Sequence, residues 1–439
     1  INLNIIVFCI LGIVILKSKI LTTKFNFPIK IIFLLFLVIL LSTGLSFIIS
    51  LYHEDYNQVN LERLIKAVLF FRYFLMLLIV YLLNKENILN YKYLYFSAIF
   101  ATITVSLDII YQFIFGFNIV GIASYGHHNS GFFGDELIAG GFIQRFSFFS
   151  IIFTVLILNS RKSNSFILTT ILILILGIGI ILSGNRMPLI FFLLGLILIF
   201  LINSNFRKII SAGILCVLLT FQLFVLHDPY VKDSYDSLYS NVKNILTGSK
   251  STSNNIENSI DAIKEENKQE SKKGFLNDFV HHNRLILSAI DVWKKNKILG
   301  NGIKSFRLDC HKLQTHAIEP LDGYNLTEEF VKNKKNRLCS NHPHNYYFEI
   351  LAETGIIGFF ITLIIAGLFI IFIFKNFKLL KGNTAESFLL LASTISLFLE
   401  VFPIKSTGSI FSTFNITYII LISSIILSYK KNIVIKDES

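Results

Sequence analysis

Eleven apolar stretches, most of them long enough to cross a bilayer, constrain this chain more than any other feature. They fall at about 1–16, 29–50, 63–83, 93–115, 138–158, 165–182, 187–203, 208–227, 346–374, 385–402 and 410–428. Inside hydrocarbon every backbone amide needs an internal partner, so stretches of this kind are expected as helices. The expected fold class is an all-α polytopic membrane protein with one large loop domain that contains helices of its own. A mean hydropathy of +0.64 and 15% charged residues agree, and 44 phenylalanines suit surfaces that need only be apolar. The chain opens at Ile1 inside an apolar run, so a preceding helix, making twelve in the whole protein, is expected. No cleavable signal is visible.

The net charge of +12 raises nucleic acid as a partner, but the basic residues are scattered among short loops, and that reading is set aside. Lys17, Lys19, Lys24, Lys30, Lys85, Lys92, Arg161, Lys162, Arg207, Lys208, Lys375, Lys378, Lys381 and the Lys430–Lys436 tail fall on one side if every run crosses. The positive-inside rule makes that side, and the C-terminus, cytoplasmic. The opposite short loops hold little beyond Arg63, Arg186 and Lys405. Three regions follow: membrane helices over 1–227, a polar segment over 228–345 on the outer side, and membrane helices with a tail over 346–439.

The polar segment is not uniform. Residues 249–274 are polar and poor in hydrophobic residues and are expected to form a mobile segment. From Phe275 to Lys295 a helical pattern returns, with Phe279, Ile286, Ile290 and Trp293 spaced for one face, until Leu299-Gly300-Asn301-Gly302 breaks it. Cys9 and Cys216 lie in apolar runs and read as small core residues. Cys310 and Cys339 both lie in the polar segment. A disulfide there closes a ring of about thirty residues and stabilises it by roughly 3–4 kcal/mol; ligation of a metal with His311 and His342 is the rival.

The segment ends in Ser340-Asn341-His342-Pro343-His344-Asn345 and runs directly into the apolar stretch that starts near Tyr346. Two imidazoles at the mouth of a membrane helix stay wet and titrate near neutral pH. Asn345 suits a helix cap, but the paired histidines before it point to chemistry. Arg186, in the Ser183-Gly184-Asn185-Arg186 turn, and Arg284, in the loop helix, are permanent cations on the same side. Their planar forks grip phosphate through paired hydrogen bonds. Taken singly, Arg186 is equally an anchor at headgroup level, Arg284 a solvated helix face, and His344 a helix-start residue.

Within the membrane, Arg72, Asp108 and Arg145 lie at matched depth, roughly 10–14 Å below the outer surface. An unpaired charge in hydrocarbon costs several kcal/mol, so these three are expected to meet, as an ion pair or as the floor of a cavity for a charged headgroup. Between their helices, the loop Gly131-Phe132-Phe133-Gly134-Asp135-Glu136 carries two carboxylates that either orient a sugar or are solvated.

The chain resembles the O-antigen ligase and polymerase superfamily of bacterial envelope glycosyltransferases. The resemblance rests on Ser183-Gly184-Asn185-Arg186 and on Arg284 followed by Ala289, Trp293 and Leu299-Gly300-Asn301-Gly302. Its most specific part is His342-Pro343-His344-Asn345-Tyr346 with Leu351, Glu353, Gly355 and Gly358; the Gly131–Glu136 loop adds to it. It covers about residues 130 to 360, and the earlier helices match only in character. It implies an inverting transfer without metal or other cofactor at the periplasmic face of the inner membrane. The implied donor is a glycan on undecaprenyl pyrophosphate; the acceptor is a hydroxyl of lipid A–core or of another glycan. His344 is then the general base, with Arg186 and Arg284 on the pyrophosphate, and His342, Arg72, Asp108, Arg145, Asp135 and Glu136 lining the substrate site. His342 offers a second imidazole, so the base is either of the two. A ligase reading leads, a polymerase is the alternative, and a transporter with Arg72, Asp108 and Arg145 along its path comes third. No internal repeat supports the transporter, and no broken helices are expected at matching positions in two halves.

Overall fold

The computed structural model describes residues 2–52, 58–124, 128–134, 136–158, 162–229, 231–232, 235, 275–313 and 337–429. Each apolar run forms a helix. In order these are α1 (Asn2–Thr22), α2 (Phe27–Tyr52), α3 (Gln58–Lys85), α4 (Tyr91–Phe115), α5 (Ala139–Leu158), α6 (Lys162–Leu182), α7 (Arg186–Ile202) and α8 (Arg207–His227). The polar segment contributes α9 (Phe275–Lys295) and α10 (Phe306–Leu313), and the bundle closes with α11 (Tyr346–Lys375), α12 (Ala385–Glu400) and α13 (Thr413–Ser428).

Among the described residues, eight helices are long and apolar enough to cross a membrane, and α7 and α13 are shorter apolar helices. Helix α12 has only 16 residues and is buried along almost its whole length, packed among α5, α7 and α13. Large side chains such as Val14 (71% exposed) and Phe100 (73%) stand on the outside of the bundle, where only lipid makes them cheap. The core has two main parts. One joins α4–α8 with α12 and α13; the other joins α1–α3 with Phe411, Ile416 and Ile420.

The lysine-marked helix ends come together. Lys19 pairs with Glu86 (3.1 Å), Asn84 donates to Ser428, and Asn203 donates to the Gly382 carbonyl (3.1 Å). At the opposite end of the bundle Arg63 reaches the carbonyls of Asn301 and Ile303, and Ser183 meets His128.

Two sequence expectations are corrected. The buried face of α9 is Leu285, Ser288, Ala289 and Val292, while Ile286, Ile290 and Trp293 are only half-buried. Hydrophobic spacing alone admits both faces; Phe306, Cys310 and Ala352 packing on Leu285, Ala289 and Val292 select the first. Phe279 lies outside the residues whose side chains are described. Nor is α11 one straight helix. Gly355 has φ 65° and ψ −167°, which splits the element into a nine-residue first part, 346–354, and a membrane-length second part, 356–375.

The break is filled by the Leu299-Gly300-Asn301-Gly302 turn. The Ala352 carbonyl accepts from the Asn301 amide (3.2 Å) and side chain (3.1 Å). The Glu353 carbonyl accepts from Gly302 N (2.8 Å) and Ser42 Oγ (2.7 Å), and Ile356 N donates to Lys297 O (2.9 Å). Every one of these groups would otherwise be orphaned in an apolar setting, which costs several kcal/mol each. Because Ser42 and Thr43 on α2 and Arg63 on α3 hold the same turn, it ties the N-terminal helices to the polar segment.

Candidate functional site

The His342–Asn345 turn is fastened on several sides. Asn345 caps α11, accepting from Tyr347 N (3.0 Å) and Phe348 N (3.4 Å), while its amide donates to Pro403 O (2.7 Å). Thr407 N donates to His344 O (3.0 Å), and Tyr347 donates to Val401 O (2.7 Å). His344 itself sits at φ 55°, in the left-handed region that non-glycine residues seldom occupy. Strain of this sort, of order 1–3 kcal/mol, persists only where surrounding contacts over-determine it, and it concentrates at functional sites. The two imidazoles lie 4.2 Å apart between ring centroids, tilted by 49°.

His342 is half-buried, and its Nε2 meets no partner. Burial pushes its imidazole below the usual pKa, and the nearby charge of Arg307 acts the same way against a hydrogen bond with the Thr407 backbone. A neutral imidazole with an open nitrogen is able to accept a proton.

Arg186 occupies the first position of α7, after a turn in which Gly184 adopts φ 73°. That turn rests on the start of α5, because Gly140 packs directly against Ser183 and Asn185. Five residues further along α7, Phe191 packs on Phe402 (5.6 Å between centroids) and under the Lys405 ammonium. Arg186 and His344 are thus at the same end of the bundle, each on an element packed against the 401–409 segment. Arg284 joins them from α9. Its guanidinium reaches Arg337 O (3.5 Å), at the start of the strip that carries Cys339 and then His342. Partial burial lowers the Arg284 pKa. The strip is pinned by Ser288 Oγ donating to Leu338 O (2.7 Å) and by a Cys310–Cys339 disulfide with Cα atoms 5.7 Å apart. Bonded to each other, those sulfurs are not open to a metal.

The expected meeting of Arg72, Asp108 and Arg145 does not occur. Arg72 donates to Leu69 O, Asn2 and Tyr73, whose ring it also covers. Asp108, fully buried, accepts from Ile119 N (3.0 Å) and Asn118, fixing the loop after α4. Arg145 forms a two-pronged pair with Glu400 (2.8 and 2.5 Å) and donates to Asn415 (2.8 Å). Matched depth sets a position along the helix axis but not the direction a side chain faces around it. Glu136 is exposed, and Asp135 lies outside the described residues.

Among the polar residues near the turn, Glu400 and Glu349 were not singled out from the sequence, and Glu353 was named only as part of the motif. Glu400 also accepts from Lys405 (2.7 Å) and Tyr346 (2.7 Å), so it links α5, α11 and the 401–409 segment. Burial lowers the pKa of Lys405, and Glu400 opposes that shift. Glu349 accepts from Ser409 (2.5 Å) and Ile410 N (2.8 Å), and Glu353 accepts from Lys304 N (2.5 Å). A carboxylate inside an apolar run was the available signal, since each one demands a partner.

These features define an all-α polytopic membrane protein with a cation- and imidazole-bearing site at one end of its bundle. Residues 171–363 match a family model described as O-Antigen ligase, and the match includes Arg186, Arg284 and His344. It supports the O-antigen ligase superfamily as the family of this chain, and with it a ligase or polymerase type of function in general. No match was found among curated proteins or among solved structures.

Proposed function

We propose that the protein is an O-antigen ligase-type glycosyltransferase acting at the periplasmic face of the bacterial inner membrane, with its C-terminus in the cytoplasm. It moves a glycan from undecaprenyl pyrophosphate to a hydroxyl of lipid A–core. His344 takes the proton of the acceptor hydroxyl as that oxygen attacks the anomeric carbon from the face opposite the diphosphate. The bond between carbon and diphosphate oxygen breaks with inversion, and the lipid diphosphate leaves with the electron pair. Arg186 and Arg284 offset the negative charge that grows on it, which is where fixed cations accelerate a reaction.

The observation that carries this reading is the strained, multiply fastened His344 turn, with its two imidazoles at the bundle end shared by Arg186 and Arg284. The test is reconstitution of purified protein with a lipid-linked glycan and two acceptors, lipid A–core and a second lipid-linked glycan. Consumption of lipid A–core supports the ligase, and elongation of the lipid-linked glycan makes the protein a polymerase instead. Transfer to neither, in protein that is folded, overturns the reading. Arg72, Asp108 and Arg145 each have separate partners, so nothing favours a transport path through them.

A further inference from the structure

Among the described residues, charge beneath the His344 turn does not balance. Arg145 and Lys405 bring two cations to the single carboxylate of Glu400, with side-chain exposures of 10%, 8% and 0%. Glu400 has no capacity left, since it accepts twice from Arg145 and once each from Lys405 and Tyr346. Other nearby carboxylates are committed elsewhere. Glu349 serves Ser409 and Ile410 and faces Lys304 and Arg307; Glu353 serves Lys304 N and faces Arg63. A surplus buried charge is strongly unfavourable unless an opposite charge joins it.

Beside this surplus is an unused donor. Gln144, 1% exposed, turns its Oε1 toward Lys405 Nζ (3.5 Å), and the Nε2 of the same amide meets no acceptor. Two residues after Lys405, the buried Thr407 Oγ1 is unpartnered as well. Each such group carries an uncompensated desolvation penalty until something bonds it. An ammonium has three donors, and Lys405 directs them at Glu400 and Gln144 with one still to place. Lys405 and Thr407 both lie on the irregular segment that joins α12 to α13.

We infer that Lys405 and Gln144 form a buried anion subsite behind the His344 turn that takes one phosphoryl group. The inference rests on the proposed reading, in which the donor is a lipid-borne diphosphate. A phosphoryl oxygen there accepts from Gln144 Nε2 and from the ammonium together and supplies the missing negative charge. Lys405 and Gln144 then act as substrate-binding groups inward of Arg186.

The test is binding of polyprenyl diphosphate, and separately of inorganic pyrophosphate, to the full chain in lipid nanodiscs, for wild type, Gln144→Leu, Lys405→Gln and Arg186→Ala. Gln144→Leu is the cleaner variant, because it removes only a 3.5 Å contact with Lys405 Nζ and an Nε2 that bonds nothing. A role only in folding would leave its affinity unchanged. The expected result is a loss of about tenfold in polyprenyl diphosphate affinity for Gln144→Leu and a larger loss for Lys405→Gln. The unliganded melting temperature of Gln144→Leu is expected to hold. If both variants lose inorganic pyrophosphate in parallel, the subsite reads the phosphoryl group alone; if only the lipid form binds, it reads the lipid-borne group. Wild-type affinity in Gln144→Leu and Lys405→Gln, with binding lost in Arg186→Ala, overturns the subsite and leaves the proposed function standing. Wild-type protein that binds no lipid diphosphate overturns both.

Discussion

Arg145 and Glu400 stand 255 positions apart in the chain, yet meet through two parallel hydrogen bonds of 2.8 and 2.5 Å inside the bundle. The pair clamps α5 to α12, and the rings of Phe414 and Tyr418 on α13 enclose the guanidinium. Removing Glu400 leaves Arg145 and Lys405 as buried charges without their counter-ion, which typically costs about 3–5 kcal/mol, whereas removing Arg145 leaves Glu400 paired with Lys405 (2.7 Å). Glu400→Leu is therefore expected to lower thermal stability in detergent more than Arg145→Leu, measured by intrinsic fluorescence. Equal or smaller loss in Glu400→Leu would show that this carboxylate does not hold the helices together.

Gly355 interrupts α11 at φ 65°, where a side chain is strained, and an added Cβ would collide with the backbone oxygen of Ile298. Gly355→Ala is expected to eject the Leu299–Gly302 turn and expose the carbonyls it satisfies. The backbone strain alone costs about 1–3 kcal/mol. Hydrogen exchange of amides 297–303 reads the effect directly, and unchanged protection there would count against the docking.

His342 has a folded-state pKa below its ordinary value because burial and the charge of Arg307 disfavour the imidazolium. As pH falls below about 6.5 the unfolded chain takes up the proton first, so stability present above that value is lost toward the depressed folded pKa. Melting temperature is expected to drop from pH 7.5 to 5.5, and His342→Gln to flatten that slope. An identical slope in the variant would assign the acid sensitivity to another group.

His344→Ala is expected to abolish glycan transfer while the protein still inserts and binds donor, read as surface glycan on gels beside lipid-linked donor from the same cells. Unchanged glycan in a stably expressed variant removes His344 from the chemistry. Arg186→Lys is expected to fail as well, since a point charge does not reproduce the two-pronged grip of a guanidinium on phosphate. Wild-type transfer in that variant would reduce the requirement to charge.

Apolar run length by itself determined where the helices are, because in hydrocarbon a stretch of that length has no other way to satisfy its backbone. The sequence also marked Arg186 and the His342–Asn345 turn, conspicuous as unusual residue types at the edges of apolar runs, and Cys310, Cys339 and Arg284 within the polar segment. Only the tertiary structure decided which buried charges meet. Arg145 faces Glu400 and Asn415 rather than Asp108, because the direction around each helix axis is set by packing against helices hundreds of residues away. It also decided that α11 breaks at Gly355, where the 297–302 turn replaces lost helical hydrogen bonds with bonds of its own. Hydropathy does not register that exchange, since it counts how apolar a residue is and not what its backbone bonds to.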